Sequence, residues 1–262
     1  MKLPISAIVV SFNVGHLLDN CLAPLEFCDE LVVVDLESTD NSVEIAKKYV
    51  TRIISHKWVP IGEIIVNEIN PTLKHDWILA TDPDEVVSQQ LIDEIKSVFP
   101  TIPSDVGIIE VPWIYYFKNK MLNGTRWGGT EKAKQYLLNR NKVVFVDTIH
   151  VGRKLIQGFK TFSIKYKREN IIKHYWMVSY KSLYEKHKRY LPLEGDRLQA
   201  SGLKYSFSLH LKYTLASFKN CFFINKGYKD GFTGFFLSCF WMWYVYNSWI
   251  SLKKFERSLI NN

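Results

Sequence analysis

The stretch WILATDPDEV, Trp77 to Val86, decides how the rest of the chain is read. Trp77 to Thr81 has the apolar character of a buried strand, and it runs straight into Asp82, Asp84 and Glu85 around Pro83. Three neighbouring carboxylates repel one another. They are tolerable together when fully solvated or when a cation sits among them. The plain alternative is a solvated strand-to-helix turn, with Asp84 and Glu85 favourably placed near a helix N-terminus.

Working outward, apolar runs alternate with helical patterns over the first hundred residues. Ile5 to Ser11 and Leu31 to Val34 read as buried strands, the second ending on Asp35. Val14 to Leu25 reads as a helix. In the ESTDNSVEIAKKYV segment, Asn41 and Glu44 form a capping pair ahead of Val43, Ala46 and Val50. Arg52 to Ser55 is a third strand, and Gly62 to Leu73 a weak helix that Pro71 closes early. After Trp77 to Thr81, Ser88 caps a helix with the apolar stripe Leu91, Ile92, Ile95, Val98 and Phe99.

This rhythm predicts an α/β fold with a mostly parallel central sheet and helices on both faces. Ligands of such sheets bind beyond the carboxyl ends of the strands. Ser11-Phe12-Asn13, Asp35, and Asp82 with Asp84 all fall there. Carboxylates in that position suit a hard divalent ion, Mg2+ or Mn2+, shared with the phosphates of a substrate. Beyond Pro103 the predicted strands are Val106 to Val111, Tyr136 to Leu138 and Val143 to Val146, and from Ser179 the pattern is helical and basic.

The composition narrows the function. The chain has 262 residues, is 47% hydrophobic and carries a net charge of +8, which fits a packed core and an anionic partner. Nucleic acid is set aside for want of a recognition motif, and GxGxxG, GxxxxGK[ST] and GxSxG are all missing. Cys21, Cys28, Cys221 and Cys239 show no metal or disulfide spacing and read as reduced, cytosolic thiols. MKLPISAIVVSF reads as a first strand without a signal peptide. Asp82-Pro83-Asp84-Glu85-Val86 also fits the DxDx[V/T] phosphotransferase signature, with Asp82 as nucleophile. Two β-α units precede it, however, and no later acidic pair follows a strand.

Taken together, ISAIVVSFN, ELVVVDLESTDNSVEIA and DWILATDPDE resemble family 2 glycosyltransferases with the GT-A fold. TIHV (Thr148 to Val151), KHYW (Lys173 to Trp176) and KGYKDGFTG (Lys226 to Gly234) are similar to elements of the branch that includes lipopolysaccharide-core glucosyltransferases. The resemblance implies an inverting, metal-dependent transfer of a hexose from a nucleotide sugar, most simply UDP-linked, to a glycan or lipid-linked acceptor. It implies that Ser11, Phe12, Asn13 and Asp35 line the nucleotide pocket and that Asn67 and Lys134 assist there. Asp82 contacts ribose or metal, and Asp84 is the main metal ligand, with His150 assisting. The branch's usual acid stands here as Val151, so Asp147 is the first candidate for the catalytic base and Glu131 the second. A non-catalytic sugar-nucleotide binder is the alternative.

The expected domains are a GT-A domain over 1–175, with a nucleotide-binding half (1–100) and an acceptor half (101–175), and a basic, aromatic, helical region over 176–262. Gly231 to Leu252 holds no charge over 22 residues but is crowded with Phe, Trp and Tyr, and lysines flank it on both sides. That pattern favours a helix lying on an anionic membrane surface over a buried or a crossing one, and a protein bound peripherally to the cytoplasmic face.

Overall fold

A computed structural model describes residues 2–59, 62–130, 132–144 and 153–260. The chain forms two compact units, 1–113 with 131–174, and 114–130 with 175–262.

In the first unit, strands β1 (Leu3–Ser11), β2 (Cys28–Asp35), β3 (Arg52–Ser55) and β4 (Trp77–Thr81) alternate with helices α1 (Gly15–Leu22), α2 (Ser42–Ala46) and α3 (Gly62–Ile69). The four strands pair in parallel in the order β3-β2-β1-β4. Side chains alternate across the sheet. Ile5, Ala7 and Val9 therefore pack in one core with Leu18, Cys21 and Leu22 of α1. Ile8 joins Val32, Val34 and α3's Ile65, Val66 and Ile69 in another. Helices cover both faces, as expected.

The sheet continues through β5 (Glu85–Val87), helix α4 (Gln89–Val98), β6 (Val106–Phe117), β7 (Lys120–Met121), β8 (Ala133–Asn139), a short β9–β10 hairpin (Val143–Val144, Lys154–Leu155), β11 (Lys160–Ser163) and β12 (Ile172–Met177). Here it is mixed. β8 runs antiparallel between β4 and β6, β12 runs antiparallel to β5, and β11 lies parallel to β6. The reason is local. β6 and β8 follow one another with no helix between them in the described residues, and strands joined without a helical crossover pair antiparallel most readily.

Boundaries differ in instructive places. The helix expected from Val14 gives way after Leu22 to a 3-10 turn over Ala23–Phe27. Ser88 caps α4 as expected, accepting from Leu91 N at 3.2 Å. The Asn41–Glu44 capping pair does not form. Asn41 makes no capping bond, and Asp40 accepts from Ser42 N at 3.0 Å instead. The strand expected over Val143 to Val146 is described only for Val143–Val144.

The second unit is built on α5 (Tyr180–Ala200), α6 (Phe207–Lys219) and α7 (Gly231–Ile260). Ser179 and Ser182 cap α5 reciprocally. Leu237 and Phe240 of α7 pack with Trp127, Trp176, Leu183 and Cys221, and Trp249 and Leu252 pack with Leu198. The uncharged segment from Gly231 thus lies in a helix whose inner face is core. Among the described residues no helix is long and apolar enough to cross a membrane.

Candidate active site

The strand register brings the polar ends together. Ser11 stands opposite Asp35, and Val9 opposite Thr81, so β1, β2 and β4 finish on nearly one line. Asp35 is buried, and its carboxylate accepts from Ser11 Oγ at 3.3 Å and Ser38 N at 3.0 Å. The loops beyond are laced together. Asn13 N donates to Ser38 Oγ at 2.9 Å and Thr39 N to Asn13 Oδ1 at 2.7 Å, while Gly15 N donates to Asp40 at 3.0 Å. Asn13 and Glu37 both adopt left-handed backbone conformations, at φ 52° and 60°. A Cβ on Gly15 would fall 2.1 Å from Asn41 Oδ1 and 3.2 Å from Ser42 N, so a larger residue there would push the Asn41 side chain aside. The hydrogen bonds to Asp40, that of Ser42 first, hold its carboxyl below the usual range.

Phe12 projects into solvent edge-on to Trp58, with ring centroids 6.5 Å apart, and both rings are exposed. An exposed aromatic pair beside a buried carboxylate and backbone donors has the composition of a base-binding surface. Trp58 carried no signal in the sequence, being a lone tryptophan after β3. Its relevance comes from β3's place next to Asp35, whose carbonyl accepts from His56 N at 2.9 Å.

The three acids after β4 have different surroundings. Glu85 turns inward and is fully buried. Its Oε2 accepts from Thr81 Oγ1 at 2.7 Å and Asp82 N at 3.1 Å, and it pairs with the Lys134 ammonium. Burial pushes the Glu85 carboxyl up, but Lys134 and His174 outweigh it and hold the group below its usual value. Lys134 loses water too, yet Glu85, Asp82 and Asp84 keep its pKa raised. Asp82 is exposed and Asp84 half-buried. His174 Nε2 lies 3.4 Å from Asp84 Oδ2, and its ring stacks flat on Trp113 at 4.9 Å. His174 enters this layer because β12 pairs it with Glu85. KHYW was visible in the sequence, but only the antiparallel register gives its histidine a partner.

Among the described residues no three His, Cys, Asp or Glu side chains gather into a ready metal cage. Asp82 and Asp84 nonetheless fit Mg2+ or Mn2+, which bind one or two carboxylates and fill their other positions with phosphate oxygens and water.

The remaining expected residues are scattered. Asn67 is half-buried on α3. Glu131, Asp147 and His150 lie outside the described residues, as do Thr148 and Val151. Arg140, close behind Lys134 on the same stretch of chain, is tied to Asp76 at 3.0 Å and to the carbonyls of Asn70 and Leu73 at 2.9 and 3.0 Å. Trp127 is buried in the core of the second unit.

The model of glycosyl transferase family 2 matches residues 6–157, more than half of the chain. The chain belongs to glycosyl transferase family 2. The family match takes in β1 from Ser6 onward, β2, β3, β4 and the acids after β4. The chain is similar to an uncharacterized glycosyltransferase of Rickettsia typhi, 28% identical over 220 residues, which are 79% of this chain and 72% of that one. A second uncharacterized glycosyltransferase, of Rickettsia felis, is 27% identical over 98% of this chain and 91% of its own. Among solved structures, the chain resembles S. aureus TarS in complex with UDP-GlcNAc, at 19% identity and a TM-score of 0.38 over 44% of this chain and 35% of that one. It also resembles glucosyl-3-phosphoglycerate synthase from Mycobacterium tuberculosis in complex with Mn2+, UDP and glucosyl-3-phosphoglycerate. That match has 19% identity and a TM-score of 0.32, over 43% and 44% of the two chains. Both structural matches span less than half of either chain.

Proposed function

We propose that this glycosyltransferase moves a hexose from a nucleotide sugar, UDP-linked in the simplest case, to a glycan or lipid-linked acceptor such as lipopolysaccharide core. The division of labour among the acids after β4 carries the reading. Lys134 neutralises Glu85, which leaves Asp82 and Asp84 facing outward at the same sheet edge as the buried Asp35, with β1 between them. Asp35, oriented by Ser11 and Ser38, is placed to accept an N–H from the base, while Phe12 and Trp58 offer the base an apolar wall. Asp84, with Asp82, would hold a Mn2+ or Mg2+ ion against the diphosphate, with His174 steadying Asp84 from below. When bound, the ion neutralises the charge that builds on the departing diphosphate.

The reaction is a single inverting displacement. The acceptor hydroxyl oxygen bonds to the anomeric carbon as the bond from that carbon to the diphosphate breaks, through an oxocarbenium-like state. The hydroxyl proton passes to a carboxylate, for which Asp147 is the first candidate and Glu131 the second. The enzyme domain is proposed as 1–175, with 176–262 docking on the cytoplasmic face of an anionic membrane. The support for docking is that α6 exposes Phe207, Leu211 and Leu215 while Lys212 and Lys219 lie on the same helix. Incubation with a panel of UDP-hexoses, Mn2+ and lipid-linked acceptors should release UDP and label one acceptor. Metal-dependent binding without release from any pairing would mark a non-catalytic binder instead.

A further inference from the structure

The segment that joins α6 to α7 carries its rings on the outside. It consists of a π-turn over Asn220–Ile224 and a 3-10 turn over Gly227–Asp230. Cys221 and Gly227 are buried, while Phe223, Ile224 and Tyr228 are exposed. Phe232 and Phe235, at the start of α7, are exposed as well, Phe232 to 74%. The rings of Phe218, Phe222, Phe223, Tyr228 and Phe235 form one continuous group, with neighbouring centroids 5.1 to 6.3 Å apart. Ile224 follows Phe223 directly, and Phe232 lies one helical turn before Phe235, so both extend the group.

The backbone explains why these rings are not folded inward. A Cβ on Gly234 would fall 1.8 Å from the Gly227 carbonyl oxygen, and one on Gly227 2.8 Å from that of Cys221. Inside the turn backbone packs directly on backbone, which leaves no room for a ring. Lys226 holds the reversal between the two turns in a left-handed conformation, at φ 55°. The apolar group is therefore a fixed surface of the second unit. A contiguous exposed patch of this kind marks a contact with something other than water.

The charge around the patch has one sign. Asp230 is the only acid between Asp196 and Glu256. Its carboxylate is engaged, accepting from Asn123 N at 2.7 Å and Gly124 N at 2.8 Å. Lys219, Lys226 and Lys229 are interleaved with the rings in sequence, and all three are exposed.

We propose that this α6–α7 turn is the point at which the second unit enters an anionic bilayer, with Phe223, Ile224, Phe232 and Phe235 in the acyl boundary and the three lysines on the headgroups. The inference deepens the membrane-docking part of the proposed function and rests on it. Charge decides between a bilayer and a second copy of the chain. Two copies joined through this patch would set lysine against lysine, in a chain already at +8. An anionic leaflet takes up both the rings and the lysines.

The test is flotation of the full chain with vesicles of phosphatidylcholine alone and of phosphatidylcholine with equimolar phosphatidylglycerol. The wild type should bind the anionic vesicles. Phe223→Ser and Phe232→Ser should each weaken that binding about tenfold, as one ring loses its apolar surroundings. Lys226→Gln combined with Lys229→Gln should weaken it about thirtyfold, two headgroup charges being lost. An independent reading comes from Ile224→Cys in a Cys239→Ser background, labelled with a polarity-sensitive dye. Its emission should rise and shift to the blue with anionic vesicles, and that of a label at Leu209→Cys, on another face of α6, should not. Wild-type affinity in the ring and lysine variants, with a silent dye at position 224, would overturn the turn as the contact while leaving docking through the rest of α6 in place. No binding of the wild type to either vesicle would overturn the inference and the docking reading together. A dimer in sedimentation velocity that Phe223→Ser splits would assign the patch to a second copy and overturn the inference.

Discussion

Asp82, Asp84 and Glu85 stand side by side in sequence, yet only Glu85 turns inward. The cation that makes the cluster tolerable is, for that residue, a lysine. Replacing Lys134 by Met strands a buried carboxylate and should cost about 3–5 kcal/mol, measured by denaturant unfolding. Adding Glu85→Gln to that variant should recover much of the loss, because the unpaired charge is gone. Asp84→Asn keeps an acceptor facing His174 and removes only a half-exposed charge, so stability should move by less than about 0.5 kcal/mol while metal-dependent nucleotide binding disappears. Unchanged affinity in that variant would remove Asp84 from the site. At this scale the sequence was partly legible. The acids at strand ends were readable because apolar runs stopping on carboxylates are local patterns. Trp58 and His174 were not, because each gains its neighbours through strand pairing: β3 against β2, and β12 against β5. Lys134 was readable as a cation but not as Glu85's partner, which lies 49 residues away in the chain.

The elements follow the same logic. The parallel half, β1 to β4, was legible because each strand is a continuous apolar run followed by a helical pattern. The antiparallel half was less so, since β6 runs twelve residues where only Val106 to Val111 stood out. Its later part, with Trp113, Tyr115 and Tyr116, is aromatic and only half-buried in places, and it reads as loop in isolation. Ties between elements set the ends of the sheet. Asp29, near the start of β2, accepts from Lys74 Nζ at 2.5 Å and pairs with His75 Nε2 at 2.8 Å, just before β4. These partners, Lys74 first, lower the Asp29 carboxyl to about 2 from an ordinary 3.8. Because the folded value is the depressed one, the tie contributes fully above pH 3.8 and is lost as pH falls through about 2. Carboxyl-resolved NMR titration should give Asp29 a midpoint near 2, moving toward 3.8 in Lys74→Ala. A midpoint unchanged by that substitution would mean the lysine is not the cause.

For the whole molecule, the uncharged stretch from Gly231 proves to be the inner helix of the second unit, with Leu237, Trp249 and Leu252 buried. Composition alone could not separate that role from a helix lying on a membrane, since both want long apolar aromatic faces. The structure shifts the exposed apolar face to α6, where hydrophobic spacing was diluted by lysine and serine. Removing residues from Gly231 onward should therefore unfold the unit. Limited proteolysis should show rapid cleavage across 175–230, where a detachable anchor would leave that segment protected.

The proposed site at the strand edge of the first unit would seat a nucleoside diphosphate on Asp35, Phe12 and Trp58 and reach Asp84 through a divalent ion. The most direct measurement is calorimetric titration of the protein with UDP, GDP and dTDP, each with Mn2+ and with EDTA. One diphosphate, UDP in the simplest case, should bind with Mn2+ and lose its affinity in EDTA. Equal binding under both conditions, or no binding of any of the three, would contradict the account.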